Sequence, residues 1–252
     1  MSDARAGALL ADRSSGPIEV LAPQMALIVT IDGPAGTGKS SVAHALAKRL
    51  GLRVLDTGAM YRAAAAIVID HDLPRDDVEQ ILARVRDADL HFDWKADPPV
   101  ILAWLKPMNE RIREADVNEL VSLVAAMSPL REHMVRKQRL IGKQYPHLVS
   151  EGRDQGSVVF PDADVKFFLT ADPRERARRR VDQLREQGVI VDPEEMETKL
   201  IARDQLDSTR ADGPLVKPEG AIELDTTNMT FDEVVDRLEA HVRAVVGDRT
   251  AS

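Results

Sequence analysis

One stretch of this chain, residues 26–50, constrains the fold more than any other. The apolar run 27–31 predicts a buried strand, and the Ala- and Leu-rich end of the stretch has the apolar spacing of a helix. Between them, residues 33–40 read Gly-Pro-Ala-Gly-Thr-Gly-Lys-Ser and match G-x-x-x-x-G-K-[ST]. A strand, a glycine-rich loop and a helix in this order predict a site that holds phosphate groups.

The residue types of this loop suit a polyphosphate for physical reasons. Glycines let backbone N–H groups approach the anion closely, and the positive end of the following helix also favours negative charge. Lys39 can then reach the β- and γ-phosphates, and the Ser40 hydroxyl can ligate Mg²⁺. The alternative is a glycine-rich turn that binds no ligand. The predicted nucleotide-binding residues are Gly33, Pro34, Ala35, Gly36, Thr37, Gly38, Lys39, Ser40 and Ser41, with Ser40 also the predicted metal ligand.

Composition excludes several other classes of protein. The absence of cysteine rules out disulfides, thiol catalysis and cysteine-ligated zinc. The apolar runs are far shorter than the roughly 18 residues of a membrane span. No signal peptide is visible, so we expect a soluble, cytoplasmic monomer with no membrane partner. The net charge of −8 argues against a nucleic-acid surface. An excess of 25 Arg over 9 Lys suits phosphate binding, although a biased genome gives the same ratio.

The pattern of apolar residues along the chain predicts an α/β core with two additions. Short strands near 90–105 predict a hairpin inside an otherwise alternating β/α chain, which indicates an inserted subdomain. The N-terminal segment shows no sustained period and predicts a disordered extension. The predicted boundaries are 1–24 for the extension and 25–248 for the domain, with a core at 25–70 and 146–248, an insert at about 71–145 and a lid at about 174–206.

The end of the second predicted strand, 52–55, carries candidate substrate groups. Ligands of open α/β sheets bind at the carboxyl ends of the strands. Thr57 and Arg62 follow this strand and could reach the phosphate of a second substrate. A helix N-cap at Asp56 or Thr57 explains the first part of the segment without any function.

A later strand end, 151–156, reads Glu-Gly-Arg-Asp-Gln-Gly. Charges this dense at a strand end are costly unless each has a partner, which favours a ligand site. A buried Arg153–Asp154 network that only holds the loop is the alternative.

The predicted lid begins with six arginines within residues 174–185. Few acidic residues accompany them, so this stretch favours an anion as its partner. A solvated helix face is the other interpretation of such a run of charge.

Together these motifs resemble the bacterial cytidylate kinases, a family of P-loop nucleoside monophosphate kinases, over nearly all of residues 25–245. The resemblance is carried by Asp-Gly-Pro-Ala-Gly-Thr-Gly-Lys-Ser at 32–40, Asp-Thr-Gly-Ala-Met-Tyr-Arg at 56–62, Glu-Gly-Arg-Asp-Gln-Gly-Ser-Val-Val-Phe-Pro-Asp-Ala at 151–163, Glu-Arg-Ala-Arg-Arg-Arg at 175–180, Arg203-Asp204, Asp207-Ser208-Thr209-Arg210 and Leu-Asp-Thr-Thr at 224–227. Gln155 departs from the family pattern, which is usually apolar there.

The resemblance implies a P-loop three-layer α/β sandwich with a five-stranded parallel sheet, an inserted monophosphate-binding subdomain and a short helical lid. It also implies Mg²⁺-assisted transfer of the γ-phosphoryl group of ATP to CMP or dCMP. By position, the implied catalytic residues are Lys39, Arg153, Arg176, Arg179 and Arg180. The implied substrate residues are Thr57, Arg62, Arg153 and Arg210 at the acceptor phosphate, Ser122, Arg131 and Asp154 at the cytosine, and Arg203 and Asp207 at the sugar.

Two other functions stay open at this point. The chain could be a small P-loop kinase for UMP, AMP or a small metabolite, or a nucleotide-dependent switch or ATPase module. The sequence has no Asn-Lys-x-Asp motif for guanine, which argues against a GTPase switch.

Overall fold

A computed structural model of the chain describes residues 26–186 and 188–250. The predicted extension, 1–24, lies outside them. The strands are β1 (Leu27–Asp32), β2 (Arg53–Asp56), β3 (His91–Asp93), β4 (Val100–Ala103), β5 (Lys106–Pro107), β6 (His147–Gly152), β7 (Val165–Thr170) and β8 (Ile222–Asp225). The helices are α1 (Lys39–Leu50), α2 (Thr57–Asp70), α3 (Val78–Asp87), α4 (Ala115–Ala125), α5 (Ser128–Gln144), α6 (Pro173–Glu186), α7 (Pro193–Thr209) and α8 (Phe231–Thr250).

Five strands of the described chain form one parallel sheet, as predicted, and their order in it is β2-β6-β1-β7-β8. β1 lies at its centre, where Val29 pairs with Val149 of β6 and with Val165 of β7. Because all five strands run the same way, their carboxyl ends meet at one edge. The phosphate-binding loop, residues 33–38, therefore lies beside the segment that follows β6.

Helices cover both faces of this sheet, which gives the predicted three layers. One face packs against α1 and α8 through an apolar cluster that includes Val29, Leu46 and Leu238. The other face packs against α2, whose residues Ala63 to Ala66 are fully buried. A helix that is apolar on every side has to lie inside the protein, and α2 does so.

The predicted hairpin is present as β3 and β4, and the short strand β5 extends it to an antiparallel three-stranded sheet. Its buried residues Phe92 and Ile101 belong to the same apolar cluster as Met60 on α2. The insert as an independent subdomain stays a prediction, because its apolar residues share one cluster with α2.

Side chains cap the N-termini of α2 and α8. Asp56 caps α2 by accepting a hydrogen bond from the backbone N–H of Ala59 at 2.8 Å. Thr230 and Glu233 form a reciprocal capping box ahead of α8. None of the described helices combines the length and apolar character needed to cross a bilayer.

Candidate active site

The phosphate loop is held in a shape that only glycine allows at two of its positions. Gly33 has φ 147°, and a Cβ atom there would lie 2.1 Å from the backbone oxygen of Leu169 on β7. Gly38, at φ 86°, is the N-cap of α1, and no side chain caps this helix. A Cβ atom at Gly38 would meet nothing within 4 Å. The N-terminus of α1 is thus open on the side where an anion would bind.

Lys39 is buried and folds back over the loop. Its Nζ donates to the backbone oxygen of Pro34 at 2.6 Å and lies 3.3 Å from Thr37 Oγ1. Burial, and then the charge of Arg153, lowers the pKa of Lys39 to about 7, although Glu151 opposes this shift. A bound polyphosphate would favour the protonated ammonium at this position.

Ser40 donates its hydroxyl hydrogen to Glu151 Oε1 at 2.7 Å, across the gap between α1 and the end of β6. Glu151 lies beside Asp56 because β2 and β6 pair in register at these residues. Burial and the neighbouring Asp56 carboxylate raise the pKa of Glu151 to about 8. A hydroxyl and a carboxylate oxygen are hard ligands of the kind that Mg²⁺ prefers, so the residues fit this ion.

Magnesium bound here would need ligands besides protein side chains. Among the described residues, no group of three or more His, Asp or Glu side chains could hold a metal ion. Mg²⁺ ordinarily keeps several waters and shares its ligands with substrate phosphates, so one hydroxyl and one nearby carboxylate suffice.

Sequence reasoning missed two acids of this edge, Asp32 and Glu151. Asp32 accepts hydrogen bonds from the backbone N–H groups of Gln155 at 2.8 Å and Gly156 at 2.7 Å. It therefore ties the loop after β6 to the central strand, and burial raises its pKa to about 6. The available signal was position, since each acid lies at the carboxyl end of a strand predicted to flank the phosphate loop.

The three arginines predicted for the acceptor phosphate come from different elements and converge. Arg153 donates through Nε to Asp207 Oδ2 at 2.9 Å, and Arg210 Nη1 lies 3.7 Å from Asp207 Oδ1. Arg62, on α2, donates to Asn118 on α4. Its pKa is lowered by burial and by the nearby charges of Arg180 and Arg153. Arg62 and Arg153 thus face a common space, and Asp207 joins Arg210 to it.

Arg203 lies in the same space and lacks a complete set of partners. Its Nε is buried with no hydrogen-bond partner. Burial, followed by the charges of Arg153 and Arg62, lowers its pKa to about 10. We call Arg62, Arg153, Arg180 and Arg203 the arginine cluster.

Two of the three residues predicted to read cytosine, Arg131 and Asp154, are in direct contact. Arg131 and Asp154 are both buried and form an ion pair. The Arg131 guanidinium lies 5.5 Å from the ring centroid of Tyr61 and donates to the backbone oxygen of Ala125 at 3.1 Å. The alternative of an Arg153–Asp154 network is wrong, because Asp154 pairs with Arg131 and Arg153 pairs with Asp207.

The remaining predicted substrate residues are placed less directly. Thr57 is buried, and its hydroxyl donates to the backbone oxygen of Glu151 at 2.8 Å. Ser122 is half-buried on α4, which packs against the helix that carries Asp207. Gln155, the departure from the family pattern, is fully buried and accepts a hydrogen bond from Ser150 Oγ at 2.8 Å.

The three predicted lid arginines differ in what they contact. Burial and the charge of Arg113 lower the pKa of Arg180, which lies close enough to Arg62 to influence it. Arg179 donates to Glu175 Oε1 at 2.8 Å and to the backbone oxygen of Thr226 at 2.6 Å. Arg176 bonds to the phosphate loop and to α7. Arg180 Nη1 donates to Gln183 Oε1 on the same helix at 2.6 Å. All three arginines therefore bind protein acceptors, and the charge of Arg180 also acts on Arg62.

Comparison with known proteins gives one consistent result. The family model described as Cytidylate kinase matches residues 29–244. A cytidylate kinase of Aeromonas salmonicida (strain A449) is 39% identical over 230 residues, covering 91% of this chain and all of its own length (100%). Those of Caldanaerobacter subterraneus subsp. tengcongensis (85% of this chain, 94% of that protein) and Pelotomaculum thermopropionicum (86% and 96%) are each 43% identical. The chain belongs to the cytidylate kinase family.

Proposed function

We propose that this protein transfers the γ-phosphoryl group of ATP to CMP or dCMP and releases ADP with CDP or dCDP. The observation that carries this proposal is the concentration of positive charge beside the phosphate loop. Burial and the charge of Arg153 lower the pKa of Lys39, Arg62 and Arg203, and Arg203 Nε is buried with no hydrogen-bond partner among the described residues. Burying several cations together is costly, and Asp207 neutralises only part of this charge. The phosphates of ATP and of the acceptor nucleotide would supply the remaining negative charge.

The donor nucleotide binds along the phosphate loop. Its β- and γ-phosphates accept hydrogen bonds from the loop amides and from the N-terminus of α1, and Lys39 moves from Pro34 to these oxygens. Ser40 and Glu151, which lie within hydrogen-bond distance of each other, would hold Mg²⁺. When bound, this ion would supply neutralisation of the charge on the donor phosphates.

The acceptor phosphate lies between Arg62, Arg153 and Arg210. Guanidinium groups bind phosphate through paired N–H donors, which sets the orientation of the acceptor oxygen as well as its charge. Phosphoryl transfer needs mainly positioning and charge neutralisation, so we assign no general base. Lys39 and Arg180 stabilise the charge on the transferring group. Arg180 donates here to a side chain of its own helix, Gln183. For Arg176 and Arg179 the same role stays a prediction, since both bind the backbone of other segments.

The base and the sugar of the acceptor extend away from this point. Asp154 can accept a hydrogen bond from the exocyclic amine of cytosine, whereas the oxygen that uracil carries there would face a carboxylate. Arg131 and Ser122 complete the proposed base site, and Arg203 and Asp207 the proposed sugar site. Closure of the lid over both nucleotides would exclude water, because an open site would hydrolyse ATP.

A steady-state assay tests this function directly. The purified chain is given ATP, Mg²⁺ and one acceptor at a time from CMP, dCMP, UMP, AMP, GMP and shikimate, and both ADP and phosphorylated acceptor are measured. We expect the highest kcat/KM with CMP or dCMP and equal amounts of the two products. ADP formation with no phosphorylated acceptor would instead identify an ATPase or a switch, and preference for another acceptor would identify a different kinase.

A further inference from the structure

The middle of the phosphate loop, at Gly36, lies against the two helices of the lid, α6 and α7. Gly36 has φ 80°, and a Cβ atom there would lie 3.2 Å from Cβ of Arg176 on α6 and 3.5 Å from Cδ1 of Leu200 on α7. Both lid helices therefore touch the loop at one backbone position. A side chain at residue 36 would separate the loop from α6.

The peptide groups of Ala35 are held from both sides by charged residues of the lid. The backbone N–H of Ala35 donates to Asp204 Oδ1 at 3.1 Å, and its backbone oxygen accepts from Arg176 Nη1 at 2.9 Å. Arg176 Nη1 also donates to Asp204 Oδ2 at 2.5 Å, which closes a ring of three groups. Arg176 Nε donates in addition to the backbone oxygen of Ala171 at 3.1 Å.

Apolar contacts surround most of this ring and limit its exposure to water. Ala35, Ala177 and Leu200 form a small buried cluster, with Met196 packed against it. The Arg176 side chain is only 5% exposed. Asp204 is 18% exposed, so water reaches the pair mainly from the side of the carboxylate. An ion pair that is also hydrogen-bonded to backbone in a largely buried site is stronger than one at the surface. The pair therefore joins the phosphate loop to both lid helices.

We propose that Arg176 and Asp204 are a positioning pair: they fix the orientation of the Ala35 peptides and thereby aim the following loop amides at the donor phosphates. This inference rests on the proposed kinase function and changes the role that resemblance implied for Arg176. Arg176 acts on the donor through the loop backbone and does not contact the transferring group. Asp204, which no motif reasoning assigned, is the other half of the pair.

The pair acts on donor binding, so its loss has a defined kinetic pattern. Removing either residue releases the Ala35 peptides, and the loop must then be ordered by ATP itself. We expect Arg176→Ala and Asp204→Ala each to raise the KM for ATP about tenfold, with kcat and the KM for CMP changed less than threefold. The KM for ATP of the double variant should be no higher than that of the single variant with the higher KM, because both changes break the same ring.

The matched control uses another ion pair between the same two helices. Arg174 Nε lies 3.7 Å from Glu197 Oε2, and Arg174 is 87% exposed. This pair joins α6 to α7 without bonding to the phosphate loop. Arg174→Ala should therefore leave the KM for ATP within twofold of the parent value.

The experiment measures steady-state kinetics of CMP phosphorylation for the parent, the three variants and the control, and ADP affinity by calorimetry. Should Arg176→Ala or Asp204→Ala fail to fold, Arg176→Lys and Asp204→Asn replace them with the same expected pattern. Three results overturn the proposal: a KM for ATP within twofold of the parent in either single variant, a double variant whose effect approaches the product of the single effects, or a fall in kcat above 100-fold in Arg176→Ala alone. If the parent does not phosphorylate CMP, the proposed function fails, and the positioning pair is still decided by ADP affinity.

Discussion

The phosphate loop and the arginine cluster both hold negative charge, but the chain builds them in different ways. The loop uses backbone groups of consecutive residues, shaped by glycines at φ 147°, 80° and 86°. The cluster uses side chains from α2, α6, α7 and the segment after β6, and an acid of the protein already bonds Arg153. Backbone groups bind any polyphosphate, whereas a set of side chains can be arranged around one particular acceptor. Donor binding therefore depends on a few consecutive residues, whereas acceptor selection depends on side chains that the fold brings together.

The largest expected effect comes from the one mobile charge of the loop. Lys39→Met should lower kcat about 10³-fold with little loss of folding, since the ammonium acts on the transferring phosphoryl group. Kinetics of CDP formation and a thermal melt measure the two properties. Lys48→Met is the matched control, because Lys48 lies at the other end of α1 and pairs with Asp97 at 3.0 Å. Near-normal turnover of Lys39→Met would show that the charge of Lys39 does not contribute to phosphoryl transfer.

Replacing Arg153 tests the acceptor site, and the expected loss of activity is somewhat smaller than at Lys39. Arg153→Ala should lower kcat/KM for CMP about 10²-fold, because a forked donor to the acceptor phosphate is lost and Asp207 loses a cation. Arg153→Lys should recover only part of this loss, since lysine cannot form the fork. The control is Arg136→Ala, an exposed arginine on α5 whose Nη1 lies 3.8 Å from Glu132. Equal increases in the KM for ATP and the KM for CMP would show that Arg153 does not act specifically on the acceptor.

Replacing Asp154 tests whether selection of the base can be changed without an effect on donor binding. Asp154→Asn keeps the size of the side chain but removes the carboxylate, so the ratio of kcat/KM for CMP over UMP should fall about 10-fold to 100-fold. The KM for ATP should stay within about threefold, because Asp154 lies with Arg131 and not with the phosphate loop. Asp89→Asn, which breaks an exposed ion pair with Lys137, is the control. An unchanged selectivity ratio would exclude Asp154 from base reading.

The last expected effect concerns stability and not catalysis: a pH dependence that arises at the donor site. The folded-state pKa of Glu151 is raised to about 8 from 4.5. Between these values the folded state therefore holds more protons than the unfolded chain, and the free energy of unfolding falls as pH rises. In the parent this fall amounts to up to about 1.4 kcal/mol per pH unit between roughly pH 5 and 7. Glu151→Gln should remove it. Lys39, whose pKa is lowered to about 7, contributes in the opposite direction and mainly above that range.

Urea unfolding of the nucleotide-free protein at several pH values measures this dependence. Glu79→Gln, at an exposed site on α3, is the control. The same slope in Glu151→Gln and the parent would show that Glu151 does not carry a raised pKa.

Most of the elements were predictable because their signals are local. The strand, loop and helix of residues 27–50 follow from apolar spacing and glycine positions, and the caps at Asp56 and Thr230 follow from short side chains before helices. β5 was missed because two residues give no periodic signal. The roles of Asp32 and Glu151 were missed although both lie in segments that the sequence singled out, because their partners are distant in the chain and such contacts leave no local signal.

The pairing of charges was the least predictable feature. Adjacent residues suggested an Arg153–Asp154 network, yet Arg153 pairs with Asp207, 54 positions later, and Asp154 pairs with Arg131. Successive residues at a strand end point in different directions, so neighbours in sequence need not meet. The lid arginines show the same effect, since Arg176, Arg179 and Arg180 lie within one helix and donate to three different acceptors, on the phosphate loop, after β8 and on α6 itself.

The amino-acid sequence by itself determined the phosphate loop and the family, because glycine spacing, apolar periodicity and short motifs act over a few residues. Only the tertiary structure decided which acid neutralises which arginine and that the Ala35 peptides are held between α6 and α7. The physical reason is range: backbone conformation depends on neighbours along the chain, whereas an ion pair forms wherever folding brings two charges together and excludes water from them.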